Sequence, residues 1–314
     1  MESVSELIGK HIRNESMTAH VGVGYKNLKT KEEFYYNGDD LFPAASVFKV
    51  LILTELFNQK IQNKIDLNER YTYKENQISL GSGVLRELSR PIEMSYKDYA
   101  TLMMIISDNT ASDVMLNKVG KSNVKLMIDK LSLKNTKSDL ACKDLLLGMY
   151  GVTKSDTPEI IQEKIKEKKV EKECPILVNC QIENNVTSPK DMVELFSKIY
   201  NKEILDANSC DEMIGIMKSC QTNTRIPRWL PENVSIAHKT GTLDRIANDV
   251  GIVYTDEADY IIVVFYNGNK ADDEFYKKNV KGTFGDKFIA DISRDLYNHI
   301  KMGNVIKFKR SMIL

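Results

Sequence analysis

The chain has 314 residues, 42% of them apolar, and its 44 basic side chains equal its 44 acidic ones in number. That length allows one large domain or two with a sizeable core, and the balanced charge leaves no electrostatic footprint for nucleic acid or an anionic membrane surface. The five cysteines (Cys142, Cys174, Cys180, Cys210 and Cys220) are odd in number and contain no Cys-x-x-Cys pair, so reduced thiols are expected, with no metal site and no cofactor.

The N-terminus lacks the basic start and apolar core of a signal peptide, and the expectation is a cytoplasmic, monomeric protein. Residues 3–17 read as an amphipathic helix with Val4, Leu7, Ile8, His11 and Ile12 on one stripe. Two strands, 19–25 and 33–36, follow around the polar turn Asn27-Leu28-Lys29-Thr30-Lys31. A turn at Pro43 leads into a strongly apolar helix from Ser46 to about Phe57, and its apolar run is too short to cross a bilayer.

Helical patterns then recur at 95–106, 111–119, 124–131, 189–199 and 206–218. The Lys- and Glu-dense stretch 154–172, opened by Thr157-Pro158, reads as a solvated surface helix. Strand patterns return at 234–239, 248–254 and 259–266, and a last helix spans about 287–301.

This order predicts an α+β fold. One antiparallel five-stranded sheet with flanking helices is assembled from about 1–45 and 221–314, and an all-helical part, about 46–220, is inserted between them. The whole is one domain with its cleft at the seam, where ligand sites commonly lie.

Chemistry enters at Ser46. A serine at a helix start has free amide N–H groups around it, and Lys49, three residues on, shares its helical face. Hydroxyl, amine and amide donors together make an activated nucleophile. Taken alone the pair is no more than an N-cap and a solvated lysine, and Ser122 with Lys125 repeats the spacing with nothing catalytic nearby. Lys49, however, sits in an apolar run that predicts burial, and burying an ammonium is costly.

Two further groups stand out. Ser107-Asp108-Asn109 forms a turn between two helices, and Lys239-Thr240-Gly241-Thr242 ends the strand 234–239. A serine-x-x-lysine, then Ser-Asp-Asn, then Lys-Thr-Gly, in that order, resembles the motif set of the class A β-lactamase-like serine hydrolases and penicillin-binding proteins. Val186-Thr187-Ser188-Pro189 is similar to the family's Thr-rich turn, and Asn248-Asp249-Val250-Gly251 to its following strand.

The resemblance implies a β-lactamase/transpeptidase-like fold and an acyl-enzyme reaction on a small carboxylate-bearing amide or ester, above all a β-lactam. It makes Ser46 the nucleophile and Lys49 the base that takes its proton. Ser107 relays that proton, and Asn109 holds Lys49 and the substrate's amide. Lys239, Thr240 and Gly241 face the substrate, the first two on its carboxylate. Ser46 and Thr242 give the oxyanion-hole N–H groups. Arg225, ahead of Arg228 and Arg245, completes the carboxylate pocket.

The family's Glu-x-x-Leu-Asn loop is missing; Glu173 and Glu183 stand nearest its place and neither matches the pattern. Acylation is therefore better supported than fast release. The alternatives are a penicillin-binding D-Ala carboxypeptidase or esterase that deacylates slowly, and a non-catalytic binding relative.

Overall fold

The computed structural model describes residues 2–14, 19–152, 156–167, 180, 184–268 and 283–311. Its centre is an antiparallel five-stranded sheet, ordered β2-β1-β10-β9-β8. The strands are β1 (His20–Asn27), β2 (Glu33–Tyr36), β8 (Ile236–Leu243), β9 (Ile246–Val253) and β10 (Tyr260–Asn267). Strands from the two ends of the chain meet at β1–β10, with Val23 opposite Val264. The α+β architecture read from the sequence is the one observed.

Strand β10 reads as an unbroken apolar run because both faces of the sheet are covered. Alternate side chains separate by the two-residue period: Ile261, Val263 and Phe265 join the core shared with the helical part. Ile262, Val264 and Tyr266 instead pack beneath α1 (Val4–Asn14) and α10 (Phe284–Ser311).

The helical part surrounds α2 (Lys49–Ile61), whose Val50, Leu51, Ile52, Leu53, Leu56 and Phe57 are all buried. A helix apolar on every side must be covered on every side. Its neighbours include α3 (Tyr96–Ile105), α4 (Asn109–Val119), α5 (Lys121–Lys130) and α9 (Ala207–Lys218). Ser95 and Asp98 cap α3 reciprocally, and Ser188 caps α8 (Pro189–Tyr200), which packs against β1 and β10. Two shorter helices complete this part, α6 (Cys142–Met149) and α7 (Pro158–Glu167), the latter within the charged stretch.

Three expectations need correction. Short strands interrupt the helical part: β3 (Phe42–Pro43), β6 (Lys137–Ser138) and β7 (Asn185–Thr187) form one small sheet, and β4 (Arg70–Thr72) and β5 (Glu93–Ser95) another. Strand β8 does not stop at Lys239 but runs through the whole Lys-Thr-Gly-Thr stretch to Leu243. Ser46 does not open the α-helix; it lies on a 3₁₀ turn, Ala45–Phe48, that leads into it.

Candidate active site

The 3₁₀ turn carrying Ser46 is fixed from three sides. The Ala44 N–H donates to Asn185 O (2.8 Å), and Asn248 Nδ2 on β9 donates to Pro43 O (2.9 Å) and Ala44 O (3.3 Å). Ala45 takes a left-handed φ of 46°, unfavourable for a residue with a Cβ and held by this packing. Gly241 supplies the floor. A Cβ there would come 2.7 Å from Ala44 O and 3.1 Å from both Ala45 Cβ and Val47 Cγ2. The space over this glycine, assigned from the motif to substrate, is filled by the turn that bears the nucleophile.

Lys49 starts α2 and is fully buried. Its Nζ donates to Ser107 O (2.7 Å), Ser107 Oγ (3.1 Å) and Asn109 Oδ1 (2.8 Å), which occupies the three donors of an ammonium. Burial lowers its pKa, with the nearby Cys142, Asp113 and Asp108 pulling the other way. Ser107 has φ 58°, and both its hydroxyl and its carbonyl oxygen meet Lys49.

Asp108 secures the turn behind Ser107. One carboxylate oxygen caps α4 at the Ala111 N–H (2.9 Å), and the other accepts from Val84 and Leu85 N–H (2.7 and 3.0 Å). Asn109 Nδ2 donates to Leu80 O (2.7 Å), and Ser82 Oγ to Ser107 O (2.8 Å).

From the sheet side, Lys239 Nζ donates to the same Ser107 Oγ (3.0 Å) and to Thr240 O (2.7 Å). Burial and then the Lys49 charge lower its pKa to about 7. Two buried amines thus flank one hydroxyl.

Arg225 stands behind the strand, 3% exposed. It reaches Asp286 Oδ1 (2.6 Å), Gly241 O (2.8 Å), Asn248 O (2.7 Å) and Thr242 Oγ1 (2.7 Å). It ties β8, β9 and the start of α10 together and orients the Thr242 hydroxyl, which is itself exposed on the strand. Arg228 lies over the Trp229 ring, and Arg245 sits in the β8–β9 hairpin with φ 63°.

These side chains open onto a cleft of about 300 Å³ lined on one side by Ser46, Ser107 and Asn109 and on the other by Thr240 and Thr242. Ser46, Lys49, Ser107, Asn109, Lys239, Thr240, Gly241 and Thr242 are all brought to this seam, and Arg225 touches it only through Thr242 and Gly241. Glu173 and Glu183 lie outside the described residues. Sequence reasoning missed the cleft's remaining wall. Helix α6 places Cys142, Leu145 and Leu146 there, and both oxygens of Asp113 hold α6 by its first amides, Cys142 N–H at 2.7 Å and Lys143 N–H at 2.9 Å. The one sequence signal for this was Asp113, an acid four residues beyond Asn109 on a buried face of α4.

The Ser107 hydroxyl lies between two buried amines at the seam of an antiparallel sheet and a helical block, with the Ser46 hydroxyl in the same cleft lining. The chain belongs to the beta-lactamase enzyme family, whose model matches residues 3–300. It is 29% identical to Beta-lactamase PSE-4 of Pseudomonas aeruginosa over 149 residues, 46% of this chain and 51% of that one, so it spans about half the length of that curated relative. Beta-lactamase BRO-1 of Moraxella catarrhalis is 25% identical over 270 residues, 83% of this chain and 74% of that protein. The fold is shared with a β-lactamase from Sphaerobacter thermophilus (TM-score 0.76, 22% identity, 96% of this chain and 99% of that one) and with PBP-A (0.74, 24%, 94% and 96%).

Proposed function

We propose that the chain is a serine hydrolase of the class A β-lactamase type, opening the amide of a β-lactam, or of a related carboxylate-bearing amide or ester, through an acyl-Ser46 enzyme. Ser46 Oγ attacks the carbonyl carbon while its proton passes to a neutral amine of the Lys49–Lys239 pair. The N–H groups of Ser46 and Thr242 receive the oxyanion; one such donor is worth about 10²–10³ in rate. The C–N bond then breaks and the proton, relayed through Ser107 Oγ, ends on the leaving nitrogen. Thr240 and Thr242 hold the substrate carboxylate with Lys239 behind them, and Arg225 acts on it through the Thr242 hydroxyl it orients.

The observation that carries this reading is that Ser107 Oγ accepts from Lys49 at 3.1 Å and from Lys239 at 3.0 Å, both amines fully buried. Such crowding of like charge lowers the proton affinity of the pair, which a base working near neutrality requires. Structural lysines do not need it.

The test is intact-mass measurement after mixing with a penicillin. The expected result is a gain of one drug mass on the wild-type chain and none on Ser46→Ala. An unmodified wild-type mass at millimolar drug would refute the proposal.

A further inference from the structure

The sheet holds a second cluster of ionisable side chains, outside the Ser46 cleft. Strand β8 is the edge of the main sheet, and the chain crosses that edge after leaving α9. Thr222 lines the cleft on one side, whereas Ile226 packs in the core beneath α1 and α10 on the other. The crossing is pinned at both ends. The Gln221 N–H donates to Ile105 O (2.8 Å), the Ile226 N–H to Asp249 Oδ2 (3.1 Å) and Ser293 Oγ to Ile226 O (2.8 Å).

Cys220 stands at the start of this crossing, 8% exposed, with its thiol against the His238 ring. The other side of that ring is taken: His238 Nδ1 meets Asp249 Oδ1 at 2.9 Å, and both residues are buried. Thiol, imidazole and carboxylate therefore stand in a row, the order in which a cysteine is activated. Burial works against a thiolate at Cys220, but the His238 ring, the Lys239 charge and the Thr222 N–H outweigh it and lower the thiol's pKa. At Cys142, Cys180 and Cys210 burial wins and raises the thiol. His238, raised to about 10, carries its proton at neutral pH. Cys220, His238 and Asp249 have no part in the acylation described above.

We infer that Cys220, held by His238 and Asp249, is a modification site for hydrogen peroxide, and that oxidising it slows acylation of Ser46. Only a small oxidant suits a sulfur so nearly covered. The thiolate attacks one peroxide oxygen: an S–O bond forms, the O–O bond breaks, and the hydroxide released takes the His238 proton and leaves as water. Sulfur gives up two electrons and the peroxide gains them, so the product is a sulfenic acid. The added oxygen enters a packed site, which cannot absorb it without movement. Lys239 follows His238 on β8, and Thr222 lies two residues beyond Cys220, so the movement passes to a cleft amine and to the cleft lining. This second step rests on the acylation proposed above.

The experiment exposes the folded chain to hydrogen peroxide with dimedone, which captures sulfenic acids, and locates the adduct by peptide mass. Cys220 is expected to react before Cys180, although Cys180 is the more exposed of the two. His238→Gln, which keeps a polar side chain and removes the charge, should slow the reaction about tenfold, because an ordinary thiol is only a few per cent ionised near pH 7. Cys180 reacting first, or an unchanged Cys220 rate in His238→Gln, would overturn the assignment, and the first of these requires no variant to fold.

Acylation by a penicillin is then measured on chain treated with peroxide alone. The oxidised wild type should acylate several-fold more slowly, dithiothreitol should restore the rate, and Cys220→Ser should be indifferent to peroxide. Unchanged acylation after full oxidation of Cys220 would overturn its link to the cleft. Untreated chain that forms no penicillin adduct would overturn the acylation reading, with the peptide masses still deciding the Cys220 assignment.

Discussion

The spacing Ser-x-x-Lys occurs twice in this chain, and burial separates the two. Ser122 and Lys125 lie exposed on α5, where an ammonium keeps its water. Lys49 is fully buried with three acceptors and faces a second buried amine across one serine hydroxyl. Two ammonium groups so placed cannot both stay charged cheaply, and the pair titrates as a unit. With Lys239 brought to about 7, acylation should depend on pH in a direction fixed by the sign of that shift. Below about 7 Lys239 holds its proton, the neutral amine it gives the pair is lost and the rate falls; above it the rate levels. Stopped-flow acylation with a chromogenic cephalosporin from pH 5.5 to 8.5 reads this directly, and a flat profile would remove the amine pair from the proton path. Lys49→Met, which keeps the volume and removes the base, should slow acylation by about 10²–10⁴ while the protein stays folded, because an apolar side chain suits a buried site.

At the scale of elements, β8 acts as a platform that brings the Ser46 turn and the Lys239 amine together, and Gly241 sets their separation. An alanine there would press its Cβ against backbone, 2.7 Å from Ala44 O, so the turn must move and not merely a flexible side chain. Gly241→Ala should lower the acylation rate by about 10²-fold, since misplacement of about 1 Å has that order of effect. It should also cost about 1–3 kcal/mol of stability through overpacking. Parallel measurements of acylation rate and urea midpoint check both, and a variant with wild-type acylation would show that the turn's distance from β8 is not critical.

The same strand shows what the sequence could disclose. Its first half, Ile236 and Ala237, faces a core and has the expected apolar pattern, whereas Thr240 and Thr242 line a cleft on the sheet's edge, and their polarity reads as a strand end. Strands β1, β8, β9 and β10 and the helices α2–α5, α8 and α9 were legible because each buries a run of apolar side chains, and β2 shows as the short aromatic run Phe34-Tyr35-Tyr36. Strands of two or three residues, such as β3 and β6, carry no period to read. A 3₁₀ lead-in inside the apolar run after Pro43 is equally invisible to periodicity. The motif residues were legible because each has distinctive neighbours in sequence. Cys142 was not, since α6 is brought to the cleft by contacts remote in sequence, the Asp113 tether from another helix and the packing of Leu145 and Met149 against Ala45.

Across the whole molecule, the charges buried around β8 set opposing demands on stability. Burial works against a charge on His238, but the Asp249 carboxylate, 2.9 Å from Nδ1, overrides it and raises the histidine's pKa to about 10. The stabilisation from that ion pair is complete below about 6.5, where the unfolded chain is protonated too, and is lost as pH rises towards 10. Lys239 behaves in the opposite sense. Folded, it sheds its proton near 7, while the unfolded chain holds it to about 10.5, so the unfolded state binds more protons in between and stability climbs with pH. Lys49, also lowered by burial, adds to the climb. Between pH 7 and 10 the imidazolium and the amines therefore offset each other, and each can be removed by substitution. Relative to wild type, His238→Asn should gain stability more steeply as pH rises through this window, and Lys239→Met less steeply or with a fall. Urea unfolding at half-unit pH steps measures the slopes. If all three proteins gave the same slope, the buried charges of β8 would not be titrating between folded and unfolded states, and the lowered proton affinity that lets Lys49 and Lys239 share the Ser107 hydroxyl would lose its physical basis.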